Sequence, residues 1–220
     1  MICDRKAKSK PLCPDCFKKI YFLYPPLCKF CSKPLKLNRQ KICRKCSSIS
    51  FPYDLVISTT AYKQPLIDLI GFFKYKKYDF LAGFFTKIMV SHLSKIKFNF
   101  LNYDLIVSVP MHAYKLKSRG YNQSQLLAQL LSKQFKIPLG NDIIRLIINK
   151  PSQTRLSFSQ RKENVKGAFL ATKSLKGQRV LLIDDIFTTG STAYFASMAL
   201  KEKQAGSVSV LTLAKTITRT

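Results

Sequence analysis

The chain is poor in acidic residues: 11 Asp and Glu stand against 38 Lys and Arg in 220 residues, a formal net charge of +27 at pH 7. A field of that sign favours polyanions such as nucleic acid, phosphorylated metabolites or an anionic membrane face. A compositional reading stands beside it, because Lys far outnumbers Arg and Ile, Phe, Asn and Tyr abound, as in the products of an A/T-rich genome. Long apolar runs are missing as well. The stretch from Leu66 to Phe73 is interrupted by Asp68 and Gly71 and followed by Lys74, short of the ~20 residues that a bilayer span needs, so no membrane span is expected. The N-terminus, MICDRKAKSKPLCPDC, has no uninterrupted apolar segment of the kind that secretory signals carry, and the chain is expected to be cytoplasmic. At 46% hydrophobic and 12% aromatic residues a sizeable core is affordable, which excludes a wholly disordered protein. The length suits one domain with at most a small appendage.

Cysteine is absent from residue 47 onward, while seven lie in the first 46 residues: Cys3, Cys13, Cys16, Cys28, Cys31, Cys43 and Cys46. Reduced thiols in C-x2-C pairs point to metal rather than to disulfides. Each knuckle lets two thiolates reach one ion from the same side, and a second knuckle completes a tetrahedron. Cys28 and Cys31, then eleven residues, then Cys43 and Cys46 form a zinc-ribbon pattern. Cys13/Cys16 with Cys28/Cys31 has the same eleven-residue separation and competes with it. A second site would draw on Cys3, Cys13 and Cys16 and lacks a fourth thiolate, since Lys6 stands where that ligand would fall. A closed four-thiolate site is structural, because it leaves no position open for water or substrate. Residues 1–52 are therefore expected to be a zinc-stapled module, and 53–220 the main domain. The module's Phe17, Tyr21, Phe22, Tyr24 and Phe30 lie among many Lys and Arg, a mixture that either grips single-stranded nucleic acid or docks the module on its neighbour.

Past Phe51-Pro52 strands and helices alternate. Leu55–Thr59, Leu105–Val109, Val180–Ile183 and Val208–Leu213 read as buried strands. Leu126, Leu127, Leu130, Leu131 and Phe135 mark a helix starting near Asn122, and Ala193–Lys203 another. The expectation is an α/β fold with a mainly parallel sheet flanked by helices, and with ligands beyond the carboxyl ends of the strands.

The sharpest motif is V-L-L-I-D-D-I-F-T-T-G-S-T at 180–192. A buried strand delivers Asp184 and Asp185 at its end, and a turn of Thr188, Thr189, Gly190, Ser191 and Thr192 opens a helix. Hydroxyls and backbone N–H groups at a helix N-terminus favour a phosphate dianion, and Gly190 lets the backbone approach closely. Two ionised carboxylates suit the vicinal hydroxyls of a ribose. The combination describes a ribose 5-phosphate site. Neither G-x4-G-K-[ST] nor G-x-G-x-x-G is present, so a P-loop or a dinucleotide fingerprint does not account for it. Neither histidine is a convincing general base: His92 reads as packing, and His112 falls in a loop that could touch ligand.

These thirteen residues resemble the phosphoribosyl pyrophosphate (PRPP) signature of type I phosphoribosyltransferases. Together with the N-terminal knuckles they resemble the ComF family of competence proteins, in its ComFC-like branch. V-S-V-P-M-H at 107–112, R-G-Y-N-Q at 119–123, Q-T-R-L-S at 153–157, R-K-E-N-V-K-G-A-F at 161–169 and F-K-Y-K at 73–76 are similar to further segments of that family. The first cysteine pair departs from it, because the family often carries a double zinc ribbon. The resemblance implies a type I phosphoribosyltransferase-like domain that binds PRPP with Mg²⁺, and structural Zn²⁺ in the ribbon. It implies pyrophosphate contact in the turn from Val109 to Arg119, with Arg119 as the anion ligand and Lys115 and Lys117 nearby, and a closing loop at 151–164 with Arg155, Arg161 and Lys162. It also implies a part in DNA uptake during natural transformation, with single-stranded DNA and the competence helicase ComFA as partners. The acceptor is not legible. A non-catalytic single-stranded-DNA-binding protein on the same fold is the alternative.

Overall fold

The structure, a computed structural model, describes residues 11–36, 39–147 and 167–217. In chain order the described elements are α1 (Pro14–Lys18), α2 (Arg44–Ser47), β1 (Leu55–Ala61), α3 (Leu66–Tyr75), α4 (Leu81–Lys95), β2 (Leu105–Ser108), α5 (Ala113–Arg119), α6 (Gln123–Phe135), β3 (Ile144–Leu146), β4 (Phe169–Ala171), β5 (Arg179–Phe187), α7 (Ser191–Glu202) and β6 (Ser207–Lys215). The main sheet is parallel in the order β1-β6-β5-β2, and β3 and β4 form a separate antiparallel pair. No described helix is long and apolar enough to cross a membrane.

The central strands β5 and β6 are buried on both faces, which is why their sequences read as unbroken apolar runs. Successive side chains alternate between two cores. Leu181, Ile183, Leu211 and Leu213 pack with Leu69, Phe73, Phe85, Met89 and Leu127 of α3, α4 and α6. Val180, Leu182, Val208 and Val210 pack with Ala193, Ala196 and Leu200 of α7 and with Ile144 of β3. The expected parallel sheet flanked by helices, with a cysteine module ahead of it, is the observed architecture.

Strand β5 runs farther than the sequence implies. The acidic pair reads as a strand end, yet β5 continues through it, with Asp184 opposite Thr212, Ile186 opposite Ala214 and Phe187 opposite Lys215 of β6. On its other side the pairing with β2 stops at Ser108 opposite Ile183. Both carboxylates therefore sit in a strand that is held on one edge and open on the other. The turn expected from Val109 to Arg119 also contains a helix, α5. His112 caps it, Nδ1 accepting from the Tyr114 N–H at 3.0 Å, and Gly120 ends it in the left-handed region at φ +84. His112 is thus a capping residue, where the sequence left a ligand contact open.

Strand β1 would otherwise expose an edge, and the N-terminal segment covers it. The Leu23 N–H donates to the Thr59 carbonyl at 3.0 Å, and the Ala61 N–H to the Tyr21 carbonyl at 2.8 Å. Nearer the cysteines, the Val56 N–H donates to the Lys29 carbonyl at 2.8 Å. Buried Ser32 donates its hydroxyl to the Val56 carbonyl at 2.7 Å and accepts from the Ser58 N–H at 3.0 Å. Three of the module's aromatic residues touch the main domain: Phe17 packs edge-on to Phe84, Phe22 stacks on His92 and Tyr24 lies 4.9 Å from His92, while Phe30 stacks on Phe51 within the module and Phe17 and Tyr24 stay partly exposed. Burial holds His92 neutral, its pKa lowered to about 4, in keeping with the packing role expected for it.

Candidate functional site

The four sulfurs of Cys28, Cys31, Cys43 and Cys46 lie within 4.8 Å of one another. Tetrahedral coordination with Zn–S bonds of about 2.3 Å requires sulfurs about 3.8 Å apart, and the Cys31–Cys43 separation is 3.8 Å. The pairing of the second and third knuckles is the one formed. The Cys43 N–H donates to the Cys28 sulfur at 3.3 Å, which stabilises a thiolate there. The thiol of Cys31 pulls Cys28 down to about 4, while the same bond and burial push Cys31 up. Burial and the charge of Cys28 raise Cys46 to about 12. The thiols compete for one negative charge, and a dication resolves that competition. The four residues fit a closed structural Zn²⁺ site. Cys13 caps α1 and Cys16 lies within it, whereas Cys3 is outside the described residues.

The second constellation lies at the carboxyl ends of β2 and β5. Asp184 accepts hydrogen bonds from the Ser124 hydroxyl at 2.9 Å and from the Asp185 N–H at 2.8 Å. Burial, followed by the negative charge of Asp185, pushes Asp184 up to about 7. Asp185 pairs with the ammonium of Lys74, at 2.8 Å, from the last turn of α3. Burial works against a charged Lys74, but the charge and hydrogen bond of Asp185 outweigh it, and its pKa is raised. On α5, Lys115 and Arg119 are one turn apart and share a face. Burial lowers the Lys115 pKa, and the neighbouring charges of Arg119 and Lys74 lower it further. Arg119 donates to Gln123 Oε1 at 3.3 Å and stacks its guanidinium 5.0 Å over the Tyr75 ring.

Beyond Phe187 the chain turns into α7. Gly190 caps that helix at φ +87, a left-handed conformation that glycine adopts without strain. A Cβ at Gly190 would stand 2.6 Å from Phe187 Cζ, so the turn is closed tightly over that ring. Thr189 Oγ1 and Ser191 Oγ are 3.1 Å apart, Thr188 is exposed and Thr192 is half-buried. The arrangement offers hydroxyls and amide donors at the N-terminus of a 12-residue helix.

Among the residues singled out from the sequence, Asp184, Asp185 and Arg119 lie around one cluster, and Thr188 to Thr192 form the turn that leaves β5. The 151–164 segment and its Arg155, Arg161 and Lys162 lie outside the described residues. Lys74, Ser124 and Gln123 carry site contacts that the sequence reading did not assign. Lys74 stood in the F-K-Y-K segment without a role, since nothing in its spacing brings α3 to β5. Asn122 was legible as a helix start, and it caps α6 by accepting from the Ser124 N–H at 3.0 Å, which places Ser124 against Asp184.

Comparison with known proteins gives the following. Residues 1–47 match the double zinc ribbon domain family. The chain is 29% identical over 224 residues to "Competence protein F" of Haemophilus influenzae, covering 97% of this chain and 88% of that protein. It is 27% identical over 220 residues to "DNA utilization protein YhgH" of Escherichia coli K12, covering 98% and 89%. "Competence protein ComFC" of Bacillus subtilis is 29% identical over 157 residues, covering 71% and 62%. Among solved structures, a purine phosphoribosyltransferase from Pyrococcus horikoshii aligns at a TM-score of 0.38 and 20% identity, over 62% of this chain and 73% of that one.

Proposed function

The chain is ComF-like, and from that premise we propose that it binds PRPP with Mg²⁺ at the turn between β5 and α7 and serves DNA uptake in natural transformation. The observation that carries the reading is the pair of carboxylates, Asp184 and Asp185, on the open edge of β5, with Lys74, Lys115 and Arg119 near them and the T-T-G-S-T turn following the strand. Thr188, Thr189, Gly190, Ser191 and Thr192 would receive the 5-phosphate on hydroxyls and helix N–H groups. Asp184 and Asp185 would accept from the ribose hydroxyls. Arg119 would hold the diphosphate, and Mg²⁺ would neutralise charge on its oxygens, held largely by ligand and water.

The reaction such a site would support is displacement at C1 of the ribose. The bond from C1 to the diphosphate oxygen breaks with its electron pair as a nucleophile bonds to C1, and nearby carboxylates favour the positive charge that develops there. Zn²⁺ at Cys28, Cys31, Cys43 and Cys46 would hold the cover on β1, with Cys3, Cys13 and Cys16 as ligands of a second ribbon site. Calorimetric titration of Mg²⁺-PRPP tests the reading: micromolar binding is expected, with loss on Asp185→Asn. No heat of binding by the folded wild type would refute it.

A second reading, binding of single-stranded DNA, is favoured by a different surface from the one the sequence suggested. Residues 75–80 are exposed in succession and carry Tyr75, Tyr78 and Phe80 with Lys76, Lys77 and one acid, Asp79. Tyr114 on α5 is 77% exposed. Phosphate neutralisation by such cations, with bases stacked on the rings, is the chemistry of single-strand binding. The helicase ComFA would then be a downstream partner. Oligonucleotide affinity should fall with salt at a slope of about −0.7 per phosphate contact and drop on Tyr75→Ala/Tyr78→Ala, whereas Phe17→Ala should leave it unchanged. Equal losses from both variants would remove the surface assignment.

A further inference from the structure

We propose that Lys74 is a binding residue for the diphosphate end of the ligand, parked on Asp185 until ribose hydroxyls take over that carboxylate. The proposal rests on the reading that the β5–α7 turn holds a ribosyl phosphate.

Lys74 is held in place by a device at the end of α3. The Phe73 carbonyl belongs to the helix's last turn, where carbonyls lack an intrahelical partner. It accepts two side-chain bonds instead, from the Tyr121 hydroxyl at 2.6 Å and from Gln123 Nε2 at 3.1 Å. Gln123 is wholly buried, and its Oε1 accepts from Arg119 at 3.3 Å. One amide therefore ties the residue preceding Lys74 to Arg119. The Phe73 and Tyr121 rings, 5.5 Å apart, pack the same junction. The same junction therefore anchors Arg119 and the residue before Lys74, whose ammonium meets Asp185.

Among the described residues, Lys74 of α3 feels the charges of Asp185, Asp184 and Arg119, and Lys115 of α5 those of Arg119, Lys74 and Asp185. Three cations meet two carboxylates. The excess is positive, and a polyanion is the ligand that balances it. The exchange follows from donors and acceptors. Lys74 is only 18% exposed at its side chain and, among the described residues, forms its ion pair with Asp185 at 2.8 Å. When ribose hydroxyls take the Asp185 oxygen that Lys74 holds, that ammonium needs another acceptor, because an unpaired charge in a half-buried position is costly. Diphosphate oxygens supply the acceptor. The ligand's sugar then releases the cation that its diphosphate takes up. A counter-ion that merely kept Asp185 in position would instead matter to the sugar end.

The two roles separate in binding experiments with fragments of the ligand. Wild type, Lys74→Met, Lys74→Arg and Gln123→Leu are titrated with Mg²⁺-pyrophosphate in the presence of saturating ribose 5-phosphate, whose hydroxyls occupy Asp185, and separately with ribose 5-phosphate alone, after circular dichroism has shown each to be folded. Lys74→Met should weaken pyrophosphate binding by about tenfold or more, the range for a lost charge-assisted bond. Its ribose 5-phosphate affinity should be unchanged or tighter, because Asp185 is freed. Lys74→Arg should keep most pyrophosphate affinity, and also serves if the Met variant does not fold. Gln123→Leu, which unties Arg119 from α3, should weaken pyrophosphate and spare ribose 5-phosphate. Unchanged pyrophosphate affinity in Lys74→Met, or equal loss of both fragments, would overturn the assignment while leaving the ribosyl-phosphate reading intact. Binding of neither fragment by wild type would overturn both.

Discussion

Alanine at Gly190 should be more damaging than at either of two other glycines, and the reasons can be separated. Gly190 has φ +87, and its added Cβ would meet the Phe187 ring at 2.6 Å. The left-handed backbone alone costs an alanine about 1–2 kcal/mol. Phe187 is 4% exposed, and the Lys215 ammonium lies 4.8 Å above its ring, so the ring cannot turn away freely. Overpacking of that kind adds about 1–3 kcal/mol. The sum is roughly 2–5 kcal/mol, or a loss of roughly 5–15 °C in Tm for a chain of this size. Gly120 isolates the first contribution, since it has φ +84 and nothing within 4 Å of an added Cβ. Gly120→Ala should lose only about 2–6 °C. Gly71 isolates neither, being inside α3 with open space around it, and Gly71→Ala should gain about 0.5–1 kcal/mol from helix propensity. Scanning calorimetry of the three variants is the assay. A Gly190→Ala loss no larger than that of Gly120→Ala would refute the tight closure of the turn over Phe187.

Other consequences follow from the cysteine module and from the buried histidine. Cys43→Ser should lose one equivalent of zinc by elemental analysis, and amide exchange should quicken at Val56 and Ser58, whose N–H groups bond to Lys29 and Ser32 of the module. Exchange at Leu182, in the middle of the sheet, should not change; equal protection throughout would contradict a metal-held cover on β1. His92 has a pKa lowered by burial from 6.5 to about 4, so the unfolded chain takes up its proton first as pH falls. Stability should therefore decline between about pH 6.5 and 4, and His92→Phe should flatten that part of the profile in urea titrations. A wild-type profile unaffected by the substitution would show that His92 does not drive the decline.

Much of the fold was legible because its signals are local. The runs Val180–Ile183 and Val208–Leu213 lie on strands buried on both faces, and Asn122 begins the helix it caps. Cysteine spacing identified the tetrad, although only folding could choose between two pairings of equal separation. The extension of β5 through Asp184 and Asp185 was hidden, because acids in mid-strand are tolerated only where one neighbour strand has already left. Helix α5 was hidden too: seven residues without a continuous apolar stripe carry little periodicity, and its caps, His112 and Gly120, act through geometry. Lys74 could not be assigned from the chain alone, since its distance from Asp185 in sequence is closed by tertiary packing through Phe73, Tyr121 and Gln123. The module's aromatics fitted two roles by composition, and the ring contacts of Phe17, Phe22 and Tyr24 with the main domain favour docking.

The central claim is that the β5–α7 turn is a working ribosyl-phosphate site, and thermal unfolding with and without Mg²⁺-PRPP tests it most directly. At 100 times Kd the ligand should add about 2.7 kcal/mol, a rise of roughly 5–10 °C, and Asp184→Asn/Asp185→Asn should abolish it. A zinc-loaded, folded wild type whose melting temperature does not move would contradict the claim.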